Sequence, residues 1–211
     1  MTILLIILTS AVSVYVFQNP RLFNKLQLSP FMVIYRRQWY RLLTHGFVHA
    51  DWLHLIVNMI VLYSFGIVAE SVFDELYEQD IISHPKLVYI LMYISSIAIS
   101  SIFTLIKEKD NISYASVGAS GAVSTVVFLT IFFFPIQKIY FYAIIPMPGI
   151  LFGIIYLIYS QYMSMRSNDN INHDAHFIGA LYGLVFPLFM DPGLIFHFAD
   201  QIRKGLWMRY R

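Results

Sequence analysis

Leu87 to Ile106 reads LVYILMYISSIAISSIFTLI, a run without a single charge held between Lys86 and Lys107-Glu108-Lys109-Asp110. About 20 apolar residues are what a helix needs to cross a hydrocarbon core roughly 30 Å thick. The rest of the chain has the same character. Of its 211 residues 58% are hydrophobic and 12% charged, with a mean hydropathy of +0.66, whereas soluble domains carry about 25% charged residues. A formal charge of +2, from 14 basic and 12 acidic residues scattered along the chain, excludes a nucleic-acid-binding stripe. Cysteine is absent, so disulfides, thiolate metal sites and cysteine nucleophiles are excluded, and any nucleophile must be an oxygen. With no repeat, low-complexity tract or linker in view, residues 1–211 are expected to form one domain.

Working outward from that run, five more segments approach the length of a span. They lie at about 1–17, 52–69, 117–134, 148–163 and 173–190, and with 87–106 they predict an all-α membrane protein, a six-transmembrane-helix bundle. The first lacks the basic start and cleavage site of a signal peptide. The fourth is expected to stop at Pro135. In the fifth, Pro146-Met147-Pro148-Gly149 interrupts an apolar run. A helix beginning at Pro148 leaves 134–147 as an aromatic connection along the interface, and the alternative is a kinked helix from Ile139. Basic residues number six on one side and eight on the other, so charge does not fix the orientation. The first loop, with Phe31, Tyr35, Trp39 and Tyr40, is expected to lie on the membrane.

Three polar clusters interrupt these spans, and polar groups in a span mark function by default. His54 and Asn58 stand four apart, on one face of the second helix; in the plainest reading they glue helices together. Val117-Gly118-Ala119-Ser120-Gly121-Ala122 opens the fourth helix. Its small residues suit close packing, and its serine sits where free N–H groups and the positive dipole end stabilise an oxyanion. His176 stands beside Gly179 and Gly183 on the sixth helix. If these two small-residue faces pack together, His176 comes within reach of the Ser120 hydroxyl proton.

Taken together, Phe47-x-His49-Ala50-x-Trp52-x-His54-Leu55-x-x-Asn58-Met59, Gly118-Ala119-Ser120-Gly121-Ala122 and Ala175-His176-x-x-Gly179-x-x-x-Gly183, in that order and in the second, fourth and sixth spans, resemble the rhomboid family of intramembrane serine proteases over nearly the whole chain. Tyr40-Arg41 is similar to the Trp-Arg pair of the family's first loop. The resemblance implies a Ser-His dyad, with Ser120 as nucleophile and His176 as general base. It further implies an oxyanion site of His54, Asn58 and the Ser120 N–H, with Gly118 allowing close approach of the substrate. His49 would hold the first loop in place. The implied substrates are single-span or other membrane proteins, cleaved in or near their transmembrane segments without cofactor or metal. The implied location is a cell inner or plasma membrane with both termini cytoplasmic. One departure stands out: where family members often carry an aromatic residue that stacks on the catalytic imidazole, this chain has Ser124, and a Tyr or Phe of another helix would have to supply the ring.

Two other classes compete. His45, His49 and His54 suggest a metal-dependent membrane protease or transporter, but His-Glu-x-x-His is missing and Asp51 is the one carboxylate nearby. A non-enzymatic membrane-protein binder or chaperone of the same fold would need neither Ser120 nor His176. Neither the substrate nor the oligomeric state is written in the sequence.

Overall fold

The structure, a computed structural model, describes residues 1–141, 144–166 and 171–207. The chain begins with α1 (Thr2–Phe17) and continues through three short helices, α2 (Pro20–Leu26), α3 (Pro30–Arg36) and α4 (Arg41–Thr44), into a 3-10 turn at His45–Phe47. Local chemistry explains these breaks. Asn19 accepts from the Leu22 N–H and Ser29 from the Met32 N–H, each just ahead of a proline in the first helical turn, the position proline tolerates best. Arg37 closes α3 in the left-handed conformation, at φ 56°. The first loop is thus helical, a regularity too short to leave a periodic pattern in the sequence.

Helix α5 (Trp52–Glu78) runs nine residues beyond the expected end at Ala69. Glu70, Asp74, Glu75 and Glu78 make this end acidic, yet no Gly or Pro breaks the segment, and Val72, Phe73 and Leu76 are buried at helical spacing. The expected span 87–106 is divided into α6 (Pro85–Ser100) and α7 (Ile102–Lys107). Around the break, Ser96, Ser100 and Ser101 turn their hydroxyls back onto carbonyls of their own helix, a pattern that bends helices.

Helix α8 (Ser120–Phe133) is the hub: every residue from Gly121 to Phe133 is buried, against α5, α6, α9 and α10. Its 14 residues make it about 21 Å long. After Pro135 the connection expected over 134–147 is a hairpin rather than part of a kinked helix from Ile139: β1 (Lys138–Phe141) runs antiparallel to β2 (Ile145–Pro148), with Ile139 opposite Met147. The expectation of an all-α protein is corrected here, because Pro146 and Pro148 offer no N–H to a helix but sit without penalty on the edge of a two-stranded ribbon.

Helix α9 (Gly149–Arg166) starts one residue after the predicted Pro148, and α10 (His173–Met190) matches its predicted bounds. Asn172 caps α10 by accepting from the Ala175 N–H at 3.1 Å. A further helix, α11 (Leu194–Trp207), follows, turned 119° from α10 and packed across the end of α8, where Phe198 stacks on Phe132 with centroids 5.1 Å apart.

Two helical stretches are long and apolar enough to cross a membrane by length and composition, Trp52–Glu78 and Pro85–Lys107, and the bent pair α10–α11 passes the same test if counted as one. Helices α1 and α8 are apolar but shorter. Length and composition therefore do not by themselves deliver six spans. Large apolar side chains are exposed around the bundle, including Ile7 on α1, Leu53 and Ile60 on α5, Ile158 on α9 and Phe189 on α10. Such a surface is costly in water and suited to lipid.

Candidate active site

The segment leading into α8 is fixed before the helix begins. Leu28 and Ser116 pair as an antiparallel bridge, with N–H···O distances of 2.9 and 3.0 Å. The Gly118 N–H then donates to the His45 carbonyl at 3.0 Å. Gly118 lies at φ +121°, where L side chains are strained. A Cβ there would also stand 2.6 Å from Cε1 of His54, so the His54 imidazole lies directly against the Gly118 backbone.

Ser120, half-buried, is the first residue of α8. The N–H groups of a first helical turn have no partner within the helix. The preceding one is taken: the Ala119 N–H donates to Nε2 of His49 at 3.3 Å. That bond requires the His49 proton on Nδ1, which donates to Ser13 Oγ at 2.9 Å, and the Ser13 hydroxyl donates to the Phe47 carbonyl. A one-directional chain of hydrogen bonds thus ties α1, the loop before α5 and the entrance to α8. His49 holds more than the first loop, and its rings of contact include His54, 4.9 Å away between centroids. Burial, reinforced by the neighbouring His54 and opposed by Asp51, lowers its pKa to about 3.

Asn58 is buried one turn after His54 and donates from Nδ2 to the His54 carbonyl at 2.9 Å. A carboxamide has two N–H donors, so one remains after that bond. His45 does not converge with His49 and His54. Its Nδ1 donates to the Arg41 carbonyl at 2.8 Å, its Nε2 faces Ser101 Oγ at 3.1 Å, and burial lowers its pKa to about 4. A cavity of ≈ 10 Å³ beside Ser120, lined also by His45, Ser100, Ser116 and Asn172, has about the room of one water.

Helices α8 and α10 meet backbone to backbone. A Cβ on Gly179 would collide with the Gly121 carbonyl and one on Gly183 with the Thr125 carbonyl, and Thr125 Oγ1 donates to the Gly179 carbonyl at 2.8 Å. Ser120 adjoins Gly121 in the chain, and His176 lies one turn before Gly179 on the same helix face.

The His176 imidazole lies near-parallel to the Tyr156 ring, with centroids 6.4 Å apart and planes at 19°. The Tyr156 hydroxyl meets Ser124 Oγ at 2.6 Å. Tyr156 carries no signal in the sequence, where it reads as one more apolar-face aromatic on α9. Ser13 left a faint one: with Thr2 and Thr9 it forms a buried polar stripe on an otherwise apolar helix.

The Rhomboid domain matches residues 36–192, leaving α1, α2, all of α3 but Arg36, and α11 outside the matched region. RHOMBOID-like protein 12, mitochondrial, of Arabidopsis thaliana is 29% identical over 154 residues, covering 66% of this chain and 43% of that protein. The chain thus spans less than half the length of that relative. With a matched domain over most of its length, this chain belongs to the rhomboid family, and with its apolar helices it is a membrane protein.

Proposed function

We propose that the chain is an intramembrane serine endopeptidase that cleaves peptide bonds in or near the transmembrane segments of membrane proteins. The observation that carries this reading is the backbone contact of Gly121 and Gly179, which sets the helix start bearing Ser120 against the helix turn bearing His176. Ser120 Oγ attacks the scissile carbonyl while His176 takes its proton. The carbonyl oxygen gains negative charge and is met by His54, the remaining N–H of Asn58 and the Ser120 N–H, at the positive end of α8. Gly118 keeps the backbone beside His54 open to the substrate. Collapse of the tetrahedral intermediate breaks the C–N bond, with His176 returning its proton to the leaving amine. Water, activated by the same imidazole, then hydrolyses the acyl-serine.

In this reading α1, α5, α6–α7, α8, α9 and α10 are the six spans. An even number of crossings puts both termini on one side, and the basic residues Arg203, Lys204, Arg209 and Arg211 near the C-terminal end favour the cytoplasmic face of a cell inner or plasma membrane. Purified protein in detergent, incubated with a single-span substrate, tests the proposal against Ser120→Ala and His176→Ala. Cleavage by wild type, its loss in both variants and labelling of Ser120 by a fluorophosphonate are the expected results. Wild-type turnover in either variant sinks the dyad. An intact substrate with unlabelled Ser120 in the wild type points instead to a non-enzymatic binder of the same fold.

A further inference from the structure

We propose that Tyr156 positions the His176 imidazole and that Ser124 fixes Tyr156 through its hydroxyl, so that α9, not the nucleophile's own helix, sets the orientation of the general base. The inference rests on the reading of His176 as that base. An imidazole on a single Cβ can turn about two side-chain bonds, and a general base must present one particular nitrogen to the nucleophile. A flat neighbour parallel to the ring restricts the second rotation. Tyr156 is placed to do this, at 6.4 Å and 19°, within the range of productive aromatic pairs.

The Tyr156 ring is itself held from several directions. Phe128 of α8 stands 5.3 Å from it and Phe152 of α9 stands 5.8 Å from it, between centroids. One turn earlier on α9, Gly153 brings the helix close to Phe128: a Cβ there would lie 3.3 Å from that ring. The hydroxyl ends on Ser124 at 2.6 Å. Ser124 lies four residues after Ser120, on the same face of α8. The face that carries the nucleophile therefore also carries the anchor for the ring beside the base. A bulky residue at position 124 would occupy the place of the Tyr156 hydroxyl, so Ser124 and Tyr156 work as a pair. Any displacement of α9 from α8 breaks their bond and withdraws the ring from His176.

The test compares wild type, Tyr156→Ala, Tyr156→Phe, Ser124→Ala and the double variant Ser124→Ala/Tyr156→Phe, all as full chains in detergent with the same single-span substrate. Tyr156→Ala is expected to lower kcat by about tenfold with KM unchanged, and to slow fluorophosphonate labelling of Ser120 in parallel. Tyr156→Phe keeps the ring and should recover most of that loss. Ser124→Ala, which removes one oxygen and leaves the fold intact, should match Tyr156→Phe, and the double variant should be no worse than either, because all three lose the same bond. Wild-type kcat in Tyr156→Ala, additive losses in the double variant, or losses that only follow the folded fraction in thermal melts would each overturn the positioning role while leaving the protease reading intact. No turnover and no labelling in the wild type would overturn the protease reading, and this inference with it.

Discussion

Gly179 of α10 lies so close to Gly121 of α8 that a methyl group on Gly179 would overlap the Gly121 carbonyl. Neither helix can yield easily at this point, because the colliding atom belongs to backbone and α8 is buried from Gly121 to Phe133. Thr125 reinforces the seam by donating to the Gly179 carbonyl.

Gly179→Ala should therefore separate the two helices at the level of the site. Overpacking of this kind costs about 1–3 kcal/mol, which lowers the thermal midpoint in detergent, and the displacement of His176 from Ser120 should remove most cleavage even at temperatures where the variant is folded. Retained activity with unchanged stability would show that the seam is looser than this packing requires.

Loss of the proposed oxyanion donors should appear in kcat. Removing one such donor typically costs about 10²- to 10³-fold, so His54→Ala and Asn58→Ala should lower kcat strongly with little change in KM. Gly118→Ala is expected to resemble His54→Ala, since the new Cβ both strains a φ of +121° and pushes into the His54 ring. A rise in KM at constant kcat would assign these residues to substrate holding.

How far this site is legible without coordinates depends on the kind of feature. His54, Asn58, Ser120 and His176 are conspicuous because polar groups stand out in apolar runs, and α10 is bounded plainly by Asn172 and by Asp191-Pro192-Gly193. What supports them is not conspicuous. The Ser124–Tyr156 bond joins residues 32 apart in the chain on different helices, and the Ser13–His49–Ala119 chain crosses three elements; no spacing encodes either. The far end of α5 was hidden because its acidic residues look like a loop although its buried face continues to Leu76. The hairpin after Pro135 was hidden because its apolar composition suits helix and strand alike.

Stability should fall on mild acidification. His45 and His49 lie outside the long helices, and burial holds their pKa at about 4 and about 3, below the ordinary 6.5. Above pH 6.5 both are neutral whether the chain is folded or unfolded, and their environment is fully retained. As pH drops below 6.5 the unfolded chain takes up protons that the folded chain refuses, so stability is lost progressively down to the folded values, by at most about 1.4 kcal/mol per pH unit for each group. Thermal midpoints between pH 7 and 5, above the range where carboxylates titrate, should fall in the wild type and fall less in His49→Asn. Equal slopes for the two proteins would mean that His49 is not held neutral by the fold.

Substrate choice should follow the cost of unwinding. A peptide bond inside a membrane helix is screened by the helix's own hydrogen bonds, and Ser120, in the first turn of α8 and only half-buried, can reach a carbonyl carbon only after the segment opens locally. Opening in hydrocarbon leaves backbone groups unsatisfied. Gly or Pro near the scissile bond reduces that cost, by about 1 and 3 kcal/mol respectively relative to Ala in a helix interior. The backbone around Gly118 and Gly121 is approached closely by His54 and Ser100, and the cavity beside Ser120 is no larger than ≈ 10 Å³, so a small side chain at the cleaved residue fits best. Cleavage of a single-span substrate is therefore expected near its outer membrane boundary, after a small residue and close to a helix-weakening one. Replacing that substrate's Gly and Pro with Leu should reduce cleavage strongly, as read by gel and by mass of the products. Equal cutting of an uninterrupted poly-Leu span would show that local unwinding does not select the site.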